Sequence, residues 1–426
     1  SECLVGSEMC IRDRSGFMLN LSGYKPSDRY MLRSLHGTYY LIPTGQDIAM
    51  HRNAIKFNDT GLIIWNAVNS GIPMDKIPSV IRQRLTADGI DMSSVSDEEL
   101  SDDAYTFIRS LIRQNALVTA ECTDSRLHSG STDSLSFDAC YKIGGLTTGF
   151  IGCTDCLDIS LEDFRTDIPN GAVDQLWRLC PLIDMPEFDG RMIIHTVQLE
   201  LFESGGWYVM TFPSNRHLLM CRITTDGTAA EFFYDHRDMP EARTELFYGL
   251  RNAFLVAAQQ HGMFALHSAS IKYNGYALLF CGQSGTGKST HTAFWHELFG
   301  TPYLNGDLNL TGIEDGVAYV YGIPWCGTSG IYTTDRVPIG AITLLRQASD
   351  NHVSIPSPDS AQLLVAQRMI SPAWCIPLAD MNLDYAGRLQ DCCHILKLSC
   401  TASPDAARVM KAYIDNVRIG GITADA

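Results

Sequence analysis

The sequence predicts a multidomain protein of mixed α/β and α+β class, and three observations carry that prediction. At 426 residues the chain is too long for one ordinary hydrophobic core, so two or three domains are expected. Its periodicity changes twice, from short strands with amphipathic helices, to alternating strands, to a buried strand followed by a glycine-rich loop and a helix. That loop, Gly282-Gln283-Ser284-Gly285-Thr286-Gly287-Lys288-Ser289, is a complete G-x-x-x-x-G-K-[ST] pattern, the mark of a P-loop domain.

The first block covers about residues 24–118. His36 to Pro43 reads as a strand, Ile55 to Gly61 as a second strand and turn, and Leu62 to Val68 as the start of a helix. Two amphipathic segments follow, Ile77 to Leu85 and Asp97 to Leu111. From Thr119 to Ser136 a Ser/Thr/Asp/Gly-rich stretch breaks all periodicity, as a linker does. The middle region, 137–263, holds Met192 to Leu201, Gly206 to Phe212, Leu218 to Ile223 and Ala230 to Tyr234, which alternate like strands of an antiparallel sheet. A helix is expected from Met239 to Gln260, with Leu246, Leu250, Phe254 and Ala257 at helical spacing. In the third block, 264–419, Tyr276 to Phe280 reads as a buried strand and Thr290 to Phe299 as the helix after the loop.

Hydrophobic content of 45% and charged content of 19% are those of a folded soluble protein. Thirty-two basic and 48 acidic residues leave a formal charge of −16, which argues against nucleic-acid or anionic-membrane partners. No apolar segment is long enough to cross a bilayer, and the 14 cysteines lack the dense spacing of a disulfide scaffold. Reduced thiols in a cytoplasm are the expectation. Cys153-Thr154-Asp155-Cys156 has the spacing of half a zinc site but no second Cys-x-x-Cys to complete it, and Cys392-Cys393 cannot share a tetrahedral site.

The loop pattern dictates its chemistry. Gly282, Gly285 and Gly287 let backbone N–H groups, with those of Gln283, Ser284 and Thr286, converge on phosphate oxygens. The helix start through Thr290 adds its partial positive charge, Lys288 spans the outer phosphates, and the Ser289 hydroxyl suits Mg²⁺. ATP or another nucleoside triphosphate with Mg²⁺ is therefore the expected ligand. His267 is placed at the start of the strand leading into the loop strand. Asp307, in Asn305-Gly306-Asp307, falls near the next strand end, where an open α/β sheet directs residues to its ligand crevice. A carboxylate there is suited to be a base or a metal ligand; a core histidine and an ordinary turn are the alternatives. Arg336, Arg346 and Arg368 are the arginines placed to reach phosphate. The segment Gly322 to Gly327 is shaped by two glycines around Pro324-Trp325, and either lines an acceptor site or packs Trp325 under the sheet.

His267, Gly282 to Ser289 and Asn305-Gly306-Asp307, in that order and spacing, resemble the catalytic domain of HPr kinase/phosphorylase, whose fold is shared with phosphoenolpyruvate carboxykinase. The resemblance covers roughly 264–419. It implies that Asp307 deprotonates the acceptor hydroxyl and ligates metal, that His267 assists, and that Lys288 and Ser289 hold nucleotide and Mg²⁺. Two departures stand out: Gly306 replaces the first acid of that family's Asp-Asp pair, and Tyr321 to Gly327 replaces its Glu-containing segment. They argue against the reverse, phosphorylase activity and against HPr itself as substrate. Members of that family often assemble, so a homo-oligomer is compatible with the resemblance.

The first block resembles a PqqD-like domain, a small winged-helix-like module that captures the leader of ribosomally made peptides. Asn58-Asp59-Thr60-Gly61 and Trp65 carry the resemblance. It implies a leader-bearing peptide as partner, added as a strand to a sheet edge. Together the two resemblances imply an ATP-dependent kinase for a Ser or Thr of a leader-held peptide or small protein. A free-serine kinase of the same fold and a nucleotide-dependent regulatory protein are the competing readings.

Overall fold

The computed structural model describes residues 24–45, 48, 53–114, 116–119, 136–167, 172–235 and 240–417. They form a mixed α/β protein whose residues group into two compact units, one drawn from Ser1–Ile42 and Ala54–Thr123, the other from Pro43–Asn53 and Asp124–Ala426. Most of the expected linker, 120–135, lies outside the described residues. Among the described residues no helix is long and apolar enough to cross a membrane.

In the first unit the strands Tyr30–Leu35, Thr38–Pro43 and Ile55–Phe57 form a three-stranded sheet in that order, and Tyr24–Pro26 pairs antiparallel with Leu117–Thr119. Helices Asp59–Asn69, Ile77–Ala87 and Asp97–Arg113 bury Ile64, Trp65, Ile81 and Ile108 with Leu41 and Phe57 of the sheet. The predicted strand from His36 starts at Thr38, because His36 and Gly37 take left-handed φ values of 47° and 84° in a turn. The helix starts at Asp59, earlier than predicted. Asn58 is its cap, accepting the Gly61 N–H at 2.7 Å.

The second unit contains a nine-stranded sheet. Arg191–His195, Glu200–Ser204, Trp207–Thr211, Leu218–Thr224 and Ala229–Tyr234 run antiparallel in sequence. The predicted run from Met192 to Leu201 is thus two strands, separated by a turn in which Thr196 N–H donates to the Leu199 carbonyl at 2.8 Å. The antiparallel pairing predicted for this stretch holds, and the sheet continues beyond it with parallel pairs. Gln175–Pro181 lies between Ala229–Tyr234 and Leu146–Ile151 and runs parallel to both. The helix Pro240–Gln260 covers one face, seating Leu246, Leu250, Phe254 and Ala257 in a core with Trp177, Leu218 and Phe232. Buried Gln175 ties helix to sheet by donating to the Gly227 and Ala253 carbonyls and accepting from the Trp177 indole.

The same unit contains the strand Tyr276–Cys281, flanked antiparallel by Met263–Tyr273 and parallel by Arg336–Gln347. Its Ala277, Leu279 and Cys281 side chains enter one core, with Tyr385 and Leu389 of the helix Ile376–Cys392. Leu278 and Phe280 enter the other, with Trp295 of the helix Lys288–Phe299 and Met410 of the helix Asp405–Val417. Burial on both faces is why this strand reads as a continuous apolar run. The sheet is not the open one expected. Met263–Tyr273 also pairs with Leu308–Glu314, and Val317–Tyr321 links that strand to the start of Arg336–Gln347, closing a ring. Gly322 completes this corner: a Cβ on it would lie 2.1 Å from the Thr333 carbonyl oxygen.

His291, behind the loop, is 3% exposed and packs edge-on to Phe280, accepting the Trp295 indole N–H at 3.3 Å. Burial pushes its pKa from 6.5 down to about 4. The folded state therefore binds this proton less readily than the unfolded chain. Stability that is whole above pH 6.5 is expected to fall by about 3 kcal/mol as pH drops to 4. Denaturant unfolding across that range, wild type against His291→Gln, measures the difference; parallel curves contradict it.

Candidate active site

The loop begins where the strand Tyr276–Cys281 ends and closes at Lys288, the first residue of the helix Lys288–Phe299. Gly285 and Gly287 take φ of 78° and 98°, which side chains strain to adopt. At Gly282 space is the constraint, since a Cβ would lie 2.2 Å from Thr286 Oγ1. Thr286 Oγ1 in turn donates to the Gln283 carbonyl at 2.7 Å, bracing the loop from inside. Gln347, at the end of Arg336–Gln347, donates from Nε2 to the Gly285 carbonyl at 3.1 Å and holds the loop apex. Gln283, Ser284, Gly285, Ser289 and Thr290 are exposed, so loop and helix start face solvent.

Lys288 turns back across the loop. Its Nζ donates to the Gly282 and Gln283 carbonyls at 3.1 and 3.3 Å and meets His267 Nε2 at 2.8 Å. His267 lies in the middle of Met263–Tyr273 rather than at its start, cross-strand from Leu308. That register brings in Asp307: the Ser268 N–H donates to the Asp307 carbonyl at 3.0 Å, and His267 Nδ1 lies 3.3 Å from Asp307 Oδ1. Asp307 sits at the junction between Tyr303–Asn305 and Leu308–Glu314, its backbone fixed by Asn305 Oδ1, which accepts the N–H of both Asp307 and Leu308.

The three side chains form one line, Lys288 to His267 to Asp307. Burial holds the His267 pKa below its ordinary value, the Lys288 charge lowers it further, and Asp307 opposes them. A neutral ring suits both neighbours, with Nε2 accepting from the Lys288 ammonium and Nδ1 lying beside Asp307. Burial also lowers the Lys288 pKa, and the Asp307 charge acts in the other direction.

A second layer shapes the far side of Asp307. A Cβ at Gly327, whose φ is 61°, would lie 2.7 Å from Asp307 Oδ2, so this loop presses directly on the carboxylate. Gly306 has no room either: its Cβ would meet Ser329 Oγ at 2.2 Å, and its N–H donates to the Ile331 carbonyl. Trp325 does not line this space. It is 1% exposed, donates from Nε1 to the Phe247 carbonyl at 3.0 Å and packs on Phe247 and Phe254.

Of the three predicted arginines, Arg368 is the one joined to the site, since the His267 N–H donates to its carbonyl and its charge bears on His267 and Lys288. Arg346 is exposed at the loop end of Arg336–Gln347. Arg336 is elsewhere, at the start of that strand, paired with Glu314 at 2.8 Å and stacked over Tyr319. Sequence reasoning missed Arg251, on the helix Pro240–Gln260, whose charge interacts with Asp307. The available signal was a lone arginine just before Ala253–Gln259, a run buried on every side of the helix.

No group of three or more metal-ligating His, Cys, Asp or Glu residues occurs among the described residues. The fitting donors for a divalent ion at the loop are the Ser289 hydroxyl and the Asp307 carboxylate, hard oxygens of the kind Mg²⁺ uses when phosphates complete its shell. No family model matches the chain, and no curated protein matches it.

Proposed function

We propose that the protein is an ATP-dependent kinase that phosphorylates a Ser or Thr hydroxyl on a ribosomally made peptide or small protein held by its leader. The observation that carries this reading is the Lys288, His267 and Asp307 line at the mouth of a braced phosphate loop. Lys288 is poised to exchange its contacts with His267 and loop carbonyls for phosphate oxygens. Asp307 accepts the acceptor's hydroxyl proton; the new O–P bond forms at the γ-phosphorus, the bond to the β,γ-bridging oxygen breaks, and ADP leaves. His267, held neutral, stands between Lys288 and Asp307, with Nδ1 3.3 Å from Asp307 Oδ1, and helps position the carboxylate. Mg²⁺, held by Ser289 and Asp307, would neutralise charge on the phosphates when bound.

The likeness to HPr kinase rests on this order of residues, and its missing first acid has a physical cause in the Ser329 side chain packed on Gly306. For the first unit, a PqqD-like reading is supported by the Asn58 cap before Asp59 and by a short three-stranded sheet, a surface that can take an added strand. Leader capture would raise the acceptor's effective concentration at Asp307.

The test is Mg·ATP turnover with no acceptor, with leader-bearing Ser/Thr peptides and with free serine. Phosphopeptide formed only with the leader attached supports the proposal. Phosphoserine from free serine alone moves the assignment to a small-molecule kinase, and ATP binding without any phosphoester product to a regulatory protein.

A further inference from the structure

The helix Pro240–Gln260 reaches the site through one stripe of residues. Phe247, Arg251 and Phe254 follow at i, i+4 and i+7, so they share a face. The first and last of them pack on Trp325, with ring centroids 5.8 and 5.1 Å away, and the Phe247 carbonyl accepts the Trp325 indole N–H. Trp325 in turn leads into Cys326 and Gly327, the segment pressed on Asp307, and its carbonyl accepts the Asn305 Nδ2–H at 3.1 Å. Arg251, between the two phenylalanines, faces the same place.

Its guanidinium stacks over the Tyr248 ring at 4.9 Å, and its Nε–H is buried with no acceptor among the described residues. A buried guanidinium donor without an acceptor is costly unless a ligand supplies one. Burial lowers the Arg251 pKa, while Tyr248 and Asp307 raise it. Lys288 and His267 feel Arg368, whose carbonyl accepts the His267 N–H. Arg368 is thus tied to His267 by its backbone, and Arg251 comes from the helix that packs on Trp325.

We propose that Arg251 is an anion-binding residue of this site, holding an oxyanion of the reacting ligands beside Asp307. The inference deepens the kinase reading and rests on it. Two sources supply such a group: the terminal phosphate of the nucleotide, or a carboxylate carried by the acceptor. The planar fork of arginine suits either.

Calorimetric titration separates them, using Mg·ADP, the Mg²⁺ complex of the non-hydrolysable β,γ-imido analogue of ATP, and a leader-bearing Ser peptide with Glu beside the Ser against its Gln counterpart, each added to the analogue complex. Arg251→Gln is compared with wild type at matched circular dichroism and melting temperature. If the terminal phosphate is the ligand, the wild-type preference for the analogue over Mg·ADP falls about tenfold in the variant. If a carboxylate is the ligand, the preference for the Glu peptide over the Gln peptide falls by a similar factor. Arg251→Lys, which keeps the charge and loses the fork, is expected to recover part of either preference, and it carries the measurement if the Gln variant does not fold. A folded variant with both preferences intact overturns the inference, as does wild type showing neither. Wild type that binds no Mg²⁺ nucleotide at all removes the kinase reading itself, a different result.

Discussion

Asp307→Asn is expected to slow phosphoryl transfer by a factor of about 10² to 10⁴. The replacement keeps the size of the side chain. The backbone around it is pinned by Asn305 Oδ1 and by the Ser268 N–H, so the loop and strands stay in place. An amide cannot take the acceptor proton, and it removes the negative charge that faces His267 Nδ1 at 3.3 Å. Single-turnover transfer from Mg·ATP, with nucleotide affinity measured alongside, is the check. A rate within about threefold of wild type contradicts the base assignment.

Gly327→Ala is expected to lower kcat about 10²-fold while leaving every reacting group chemically unchanged. The new methyl would stand 2.7 Å from Oδ2 and 2.9 Å from both Cβ and Cγ of Asp307, so the whole carboxylate must move, not one atom of it. The φ of 61° adds backbone strain of about 1 kcal/mol. Because the phosphate loop itself is not part of this contact, affinity for ADP without Mg²⁺ is expected to stay close to wild type. Kinetics and calorimetry on one preparation decide it; a wild-type kcat shows that the position of the carboxylate is not held by this loop.

Where one segment carried its own signal, the sequence was legible. Tyr276 to Phe280 is apolar on both faces because both faces are covered, and Gly282, Gly285 and Gly287 each answer a local demand of space or φ. Helix starts were less legible: Asn58 acts as a cap, which displaced the start to Asp59. Pairings between distant segments were not legible. Nothing local announces that Gln175–Pro181 runs parallel to both neighbours, or that Leu308–Glu314 and Val317–Tyr321 close the second sheet into a ring. The same holds in the site. His267 and Asp307 could be named from their spacing around the loop, but the register that joins them, His267 opposite Leu308, is a tertiary fact. Arg251 was hidden for the same reason, since its helix meets the site by packing on Trp325, 74 residues further along the chain.

The most direct measurement is mass spectrometry of leader-bearing Ser/Thr peptides after incubation with the full chain and Mg·ATP, wild type beside Asp307→Asn. The account predicts one added phosphoryl group on a Ser or Thr with wild type and a product reduced at least a hundredfold with the variant. Equal phosphorylation by both proteins, or ATP consumed with every peptide mass unchanged, would contradict it.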